Sequence, residues 1–174
     1  MNRMNLKDKI RVIEDFPRPG ISFKDISTLL NDSEALQEAI DQMCAAVPEG
    51  TNVIVGPEAR GFIFGSAMAY NLEARFVLAR KPGKLPFDTV QRSYDLEYGT
   101  NTIEMHHDSI SKGDKVVITD DLIATGGTLA ATVELIEQLG GEVVAIIALI
   151  ELTDLKGRDL LGDHVVKSLI QYPC

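Results

Sequence analysis

The chain has 174 residues, 45% of them hydrophobic and 25% charged, which suits one soluble domain with a sizeable core. A formal net charge of −9 argues against nucleic acid or an anionic membrane as the main partner. The longest apolar run, Val143 to Ile150, is too short to cross a bilayer. The opening MNRMNLKDKI lacks an apolar signal region, and two cysteines, Cys44 and Cys174, make no disulfide framework; both features point to the cytoplasm.

In chain order, Leu6, Ile10 and Ile13 have helical spacing and predict a helix over residues 5–14. DFPRPGISFKDIS follows, where two prolines and a glycine argue for an ordered loop or edge segment. Asn31 with Glu34 resembles a capping pair, and Leu36, Ile40, Met43 and Val47 then share one helical face until Pro48 and Gly50 end it. TNVIVG is a short buried strand, PEARG a turn, residues 62–71 a helix rich in small residues, and RFVLAR a second strand.

Residues 81–100, KPGKLPFDTVQRSYDLEYGT, break this rhythm with two prolines, two glycines and mixed charge. So long a structureless stretch in a small domain is usually functional or disordered. NTIEMHHD reads as a returning strand, SKGD as a turn and KVVITD as a buried strand. A helix over residues 128–139 turns Leu129, Val133, Ile136 and Leu139 inward, with Gly140 at its C-cap. EVVAIIALI reads as a central strand. Strands alternating with helices from residue 51 to 150 predict a single α/β domain with a mostly parallel, twisted sheet flanked by helices. Ligands of such sheets bind beyond the carboxyl ends of the strands.

Two features lie at those ends. Residues 58–92 hold six cationic side chains against three acidic ones, leaving the rest of the chain at −12. This is a local anion site or a solvated loop. The stretch KVVITDDLIATGGT (115–128) runs a buried strand into Asp120 and Asp121 and then into a glycine-containing loop. Gly126 and Gly127 permit close backbone approach, and the N–H groups and dipole at a helix start favour a phosphate. Thr125 and Thr128 add hydroxyl donors, and paired carboxylates suit vicinal hydroxyls. Ala124, Thr125, Gly126, Gly127 and Thr128 with Asp120 and Asp121 thus describe a cradle for a ribose 5-phosphate. GPEARGF has the glycine spacing of a P-loop but carries Phe62 where lysine is required, and no G-x-G-x-x-G occurs.

VVITDDLIATGGT resembles the phosphoribosyl pyrophosphate (PRPP) signature of the type I phosphoribosyltransferases. DFPRPGISFKDIS, GPEARGFIFG, RKPGKLP, YDLEYGT and IELTDLKGR resemble the adenine phosphoribosyltransferases within that family, in the family's order and over nearly the whole chain. The resemblance implies the type I fold with a small N-terminal base-binding hood in residues 1–30 and a mobile catalytic loop at 81–100. It implies a Mg²⁺-dependent purine salvage reaction, adenine and PRPP giving AMP and pyrophosphate, and a homodimer. Carried over by residue, Ala124 to Thr128 hold the 5-phosphate and Asp120 and Asp121 the ribose hydroxyls. Arg60, Lys81 and Lys84 grip the pyrophosphate, Glu97 is the general acid/base toward the purine, and Ile21, Ser22, Phe23 and Lys24 sandwich the base. No residue is a direct metal ligand; substrate holds the ion, with Asp120 and Asp121 in reach through water. His106, His107 and His164 read as structural. A transferase for another purine is a second reading, against which the RKPGKLP and DLEYG stretches speak. A PRPP-sensing regulator is a third; it needs a nucleic-acid-binding extension and has no use for Glu97, Arg60 and the two lysines.

Overall fold

A computed structural model of the protein describes residues 4–96 and 98–174. A 3₁₀ turn at Leu6–Lys9 leads into β1 (Arg11–Ile13), which pairs antiparallel with β2 (Phe23–Asp25) as a separate two-stranded sheet. The helix expected over residues 5–14 is therefore a turn followed by a strand. Leu6 and Ile10 are buried, and a turn with an extended exit satisfies their spacing equally well. After α1 (Ser27–Leu30) comes α2 (Ser33–Ala45). Its cap is Asp32, which accepts from the Glu34 and Ala35 N–H groups, rather than the expected Asn31. Ala35, Ala39, Met43 and Cys44 form its buried stripe, with Leu36, Ile40 and Val47 half-buried beside it. Both cysteines are free.

The main body is β3 (Val53–Pro57), α3 (Arg60–Leu72), β4 (Arg75–Ala79), a hairpin of β5 (Thr89–Asp95) and β6 (Thr100–His106), β7 (Lys115–Ile123), α4 (Gly127–Gln138), β8 (Glu142–Leu152) and β9 (Val166–Tyr172). Five strands form one parallel sheet in the order β4-β3-β7-β8-β9. β7 is its middle strand, and β8, paired with β7 on one side and β9 on the other, is an interior strand as expected. Alternation along the strands divides the core in two. Val53, Val55, Val116 and Ile118 face the layer of α4 and the hairpin, whereas Ile54 and Val117 face α2 and α3 with Phe64 and Met68.

The expectation of a structureless stretch over residues 81–100 is corrected in part. Thr89–Asp95 pairs residue by residue with Thr100–His106, and the hairpin packs on α4 through an Arg92–Glu134 ion pair. β7 also runs beyond Asp120, the last residue of KVVITD, because Leu122 and Ile123 pair with Ile150 and Glu151 of β8.

Candidate active site

The sheet order places the crevice. From β3 the chain moves outward to β4, then returns to lay β7 on the other side of β3 and continues outward through β8 and β9. Such a switch point is where an open parallel sheet separates its loops. The β3–β7 ladder stops at Val55–Ile118. Beyond it, the turn after β3 (57–61) and the carboxyl end of β7 diverge, and the crevice between them receives side chains from both.

Asp120 and Asp121 enter from β7. Asp121 is 5% exposed, and its Oδ2 is ion-paired with Arg60 Nε at 2.9 Å. Asp120 lines the cradle side, and its Oδ1 accepts the Asp121 N–H at 2.8 Å. Burial pushes the Asp120 carboxyl well above the usual carboxylate range. The Asp121 charge adds to this, while the Asp121 N–H and Arg60 pull the other way. Two carboxylates crowded at a strand end are costly in a resting protein. They become useful where a substrate brings hydroxyl donors or positive charge.

The turn after β3 is fixed from β4. Its Glu58–Ala59 peptide is cis. Glu58 Oε1 accepts from Arg80 Nε at 3.1 Å and from the Lys81 N–H at 2.8 Å. Burial would raise the Glu58 carboxyl, but the Lys81 N–H and Arg80 hold it below its ordinary value. Arg80 also lies over the Phe62 ring at 5.8 Å. At Gly61 a Cβ would stand 3.2 Å from Asp120 Oδ1, so glycine allows the start of α3 to close on the carboxylate.

The loop from Ala124 to Thr128 forms a cavity of about 100 Å³, lined by those five residues with Asp120, Leu122 and Leu129. Gly126 is the N-cap of α4 at φ +87°, a conformation that glycine reaches without steric cost. The free N–H groups of the first turn of α4 therefore open toward the cavity that Asp120 borders, a geometry suited to an anion beside a carboxylate.

The phosphoribosyl transferase domain family matches residues 25–171. Adenine phosphoribosyltransferases from Clostridium novyi and Clostridium perfringens are 57% and 58% identical over 170 residues, covering 97% of this chain and 99% of each relative. The chain belongs to the adenine phosphoribosyltransferase family. The solved adenine phosphoribosyltransferase of Thermoanaerobacter pseudethanolicus superposes with a TM-score of 0.92 at 49% identity, covering 96% of this chain and 98% of that one. The Saccharomyces cerevisiae enzyme, solved with an imino-altritol bisphosphate and adenine, gives 0.89 at 38% identity over 94% and 96%.

As a member of the adenine phosphoribosyltransferase family, the chain brings most of the expected residues to one crevice, but not all side chains point into it. Phe23 is half-buried, packed edge-on to Phe16 at 5.2 Å, and the Arg60 guanidinium lies 5.9 Å above its ring. Arg60 thus links the hood to Asp121. Lys24, on the opposite face of β2, is buried and turns away from Phe23; its Nζ donates to Ser22 Oγ at 2.6 Å and lies 4.8 Å over the Tyr172 ring. Ser22 in turn donates to Glu14 at 3.1 Å. The side chains of Lys24 and Ser22 therefore anchor the hood, while Ile21 is exposed and Phe23 lies between Phe16 and Arg60. Lys81 and Lys84 are exposed on the loop that follows β4. Glu97 lies outside the described residues.

Two contributors carry no local signal in the sequence. Arg80 and Glu58 clamp the turn, as above. Tyr94 packs its ring where a Gly127 Cβ would stand, at 2.9 Å, and is hydrogen-bonded to Thr128 Oγ1 at 2.6 Å. Alternation along β5 marks Tyr94 as an inward residue once the strand is known, whereas Tyr98 is 87% exposed.

Proposed function

We propose that this chain transfers the 5-phosphoribosyl group of PRPP to adenine, forming AMP and pyrophosphate in a purine salvage step. The observation that carries the reading is the junction of a phosphate-binding loop, a carboxylate pair and an arginine-bearing turn at one switch point, in a chain of this family. The cradle from Ala124 to Thr128 would hold the 5-phosphate, and Asp120 and Asp121 the ribose hydroxyls. As the C1′–O bond breaks, positive charge grows on the ribose. Fixed carboxylates stabilise that charge more in the transition state than in the ground state. Arg60 would exchange its ion pair with Asp121 for the leaving pyrophosphate, joined by Lys81 and Lys84. The exposed Ile21 and the Phe23 ring would face the purine, and Glu97 would exchange a proton with it.

Mg²⁺ is part of the proposal. Among the described residues no group of three or more His, Cys, Asp or Glu could hold a metal ion. Two carboxylates beside a phosphate site fit an ion held mainly by substrate oxygens, with Asp120 and Asp121 in its outer shell. Such an ion would neutralise the departing pyrophosphate. We further propose a cytoplasmic homodimer without nucleic-acid or membrane partners; the acidic net charge supports the latter, and no helix among the described residues is long and apolar enough to cross a membrane.

The test is product analysis after incubation with PRPP, Mg²⁺ and each purine base in turn. AMP from adenine alone is the expected result. A different nucleotide would move the specificity to the Ile21–Lys24 segment, and PRPP binding with no product from any base would overturn the reading. Omitting Mg²⁺ should abolish turnover.

A further inference from the structure

The phosphate loop is shaped from outside the crevice. A Cβ on Gly126 would stand 2.5 Å from the Gly157 carbonyl oxygen. Gly157 is confined as tightly from its own side, since its Cβ would stand 2.6 Å from the Ala124 carbonyl oxygen and 2.9 Å from Ile123 Cγ2. Two stretches of backbone, 123–126 and 157, therefore cross with no side chain between them. Whatever fixes residue 157 fixes the loop.

The next residue supplies the fixing. Arg158 Nε and Nη2 donate to the two carboxylate oxygens of Glu151 at 2.7 and 2.8 Å, and Nη1 donates to the Val166 carbonyl at 2.8 Å. Ser168 Oγ donates to Glu151 Oε1 at 2.7 Å. Glu151 is 5% exposed and lies in register with Ile123, the last residue of β7, and with Gln171 of β9. A planar fork on a buried carboxylate defines direction as well as distance. Neither Glu151 nor Arg158 lines the phosphate cavity.

We propose that Glu151 and Arg158 are positioning residues for the 5-phosphate of PRPP, holding the Gly157 backbone against Gly126 and so setting the N–H groups of the loop. This rests on the reaction proposed above. The test compares Arg158→Lys, Glu151→Gln and the milder Ser168→Ala in the full chain. It combines steady-state kinetics with PRPP and adenine varied separately, the dissociation constant of ribose 5-phosphate by calorimetry, and a thermal melt. A displacement of the order of an ångström at a binding loop is worth up to about 100-fold. Arg158→Lys and Glu151→Gln should raise the PRPP KM and the ribose 5-phosphate Kd about tenfold or more, with the adenine KM and kcat within about twofold. Ser168→Ala should shift the same two constants in the same direction by less. If Glu151→Gln does not fold, Arg158→Lys and Ser168→Ala decide. Unchanged phosphate-side constants, an equal rise in the adenine KM, or a lower melting temperature and kcat at constant PRPP KM would overturn the proposal. Wild-type protein that forms no AMP would instead overturn the reaction, and the ribose 5-phosphate constants would still decide the positioning role.

Discussion

Replacing Gly126 with alanine adds one methyl group where the phosphate loop meets residue 157. Two costs follow. A side chain at φ +87° costs roughly 1–2 kcal/mol in an L-residue. The methyl carbon would also lie 2.5 Å from the Gly157 carbonyl oxygen, and reaching an ordinary contact of about 3.4 Å requires a shift of roughly 0.9 Å. The Gly157 side cannot absorb it, being closed by Ala124 and held through Arg158. The loop must move instead, and a shift of that size breaks a hydrogen bond to phosphate. A bond to a charged group is worth roughly 1.5–3 kcal/mol, or about 10- to 150-fold in affinity. Gly126→Ala should therefore raise the PRPP KM at least about tenfold and lower the unfolding free energy by about 2 kcal/mol. Gly113→Ala is the control, because Gly113 has the same φ of +87° with nothing within 4 Å of its Cβ; it should lose about 1 kcal/mol of stability with no kinetic effect. Steady-state kinetics and urea unfolding of the two variants separate strain from contact. A Gly126→Ala protein with wild-type PRPP KM would refute the reasoning.

Three more outcomes follow from the same geometry. Arg60→Ala removes the partner of Asp121, but the arginine side chain is about half exposed, so the melt should shift by no more than about 1 kcal/mol while pyrophosphate inhibition weakens about tenfold. Asp114 is 6% exposed and accepts from Arg75 at 2.7 Å, with Asn52 and the Ser111 N–H adding to that bond. Against the cost of burial these lower its carboxyl from 3.8 to about 2. A depressed folded-state value means stability present above pH 3.8 and lost as pH falls through about 2. Arg75 is half exposed, so Asp114→Asn should cost about 1–2 kcal/mol at pH 7 and almost nothing near pH 2 in urea titrations. Glu97→Gln should lower kcat by about 100-fold or more while the PRPP Kd, measured by calorimetry, stays within about twofold; unchanged kcat would remove Glu97 from the chemistry.

How far the sequence could be read depended on whether a signal was local. The β-branched run from Val116 to Thr119 and the glycines after it identify a buried strand and its anion loop without tertiary information, and the two core faces follow from simple alternation. The hairpin was harder. Thr89–Asp95 has only Val90 and Tyr94 as apolar or aromatic residues among polar and charged ones and follows two prolines, so its strand character depends on pairing with Thr100–His106 and on the Arg92–Glu134 contact. The turn and strand at residues 6–13 place Leu6, Ile10 and Ile13 at spacings that a helix would fit equally well. The orientation of Lys24 toward Tyr172, and of Arg60 toward Asp121, depends on which elements the fold brings together; no spacing rule along the chain contains it.

The hood's anchorage has a consequence for local opening. Among the described strands, β9 is hydrogen-bonded on one side only, to β8, so it is an edge whose amides exchange with solvent more readily than those of β7. The hood is fastened to this edge: Lys7 Nζ donates to the Gln171 carbonyl at 2.9 Å, and Lys7 and Lys24 both lie over the Tyr172 ring. Fraying of β9 at Gln171 and Tyr172 should therefore loosen the hood segment. The two should open as one cooperative unit, so a ligand bound under the hood should slow deuterium uptake in the last strand.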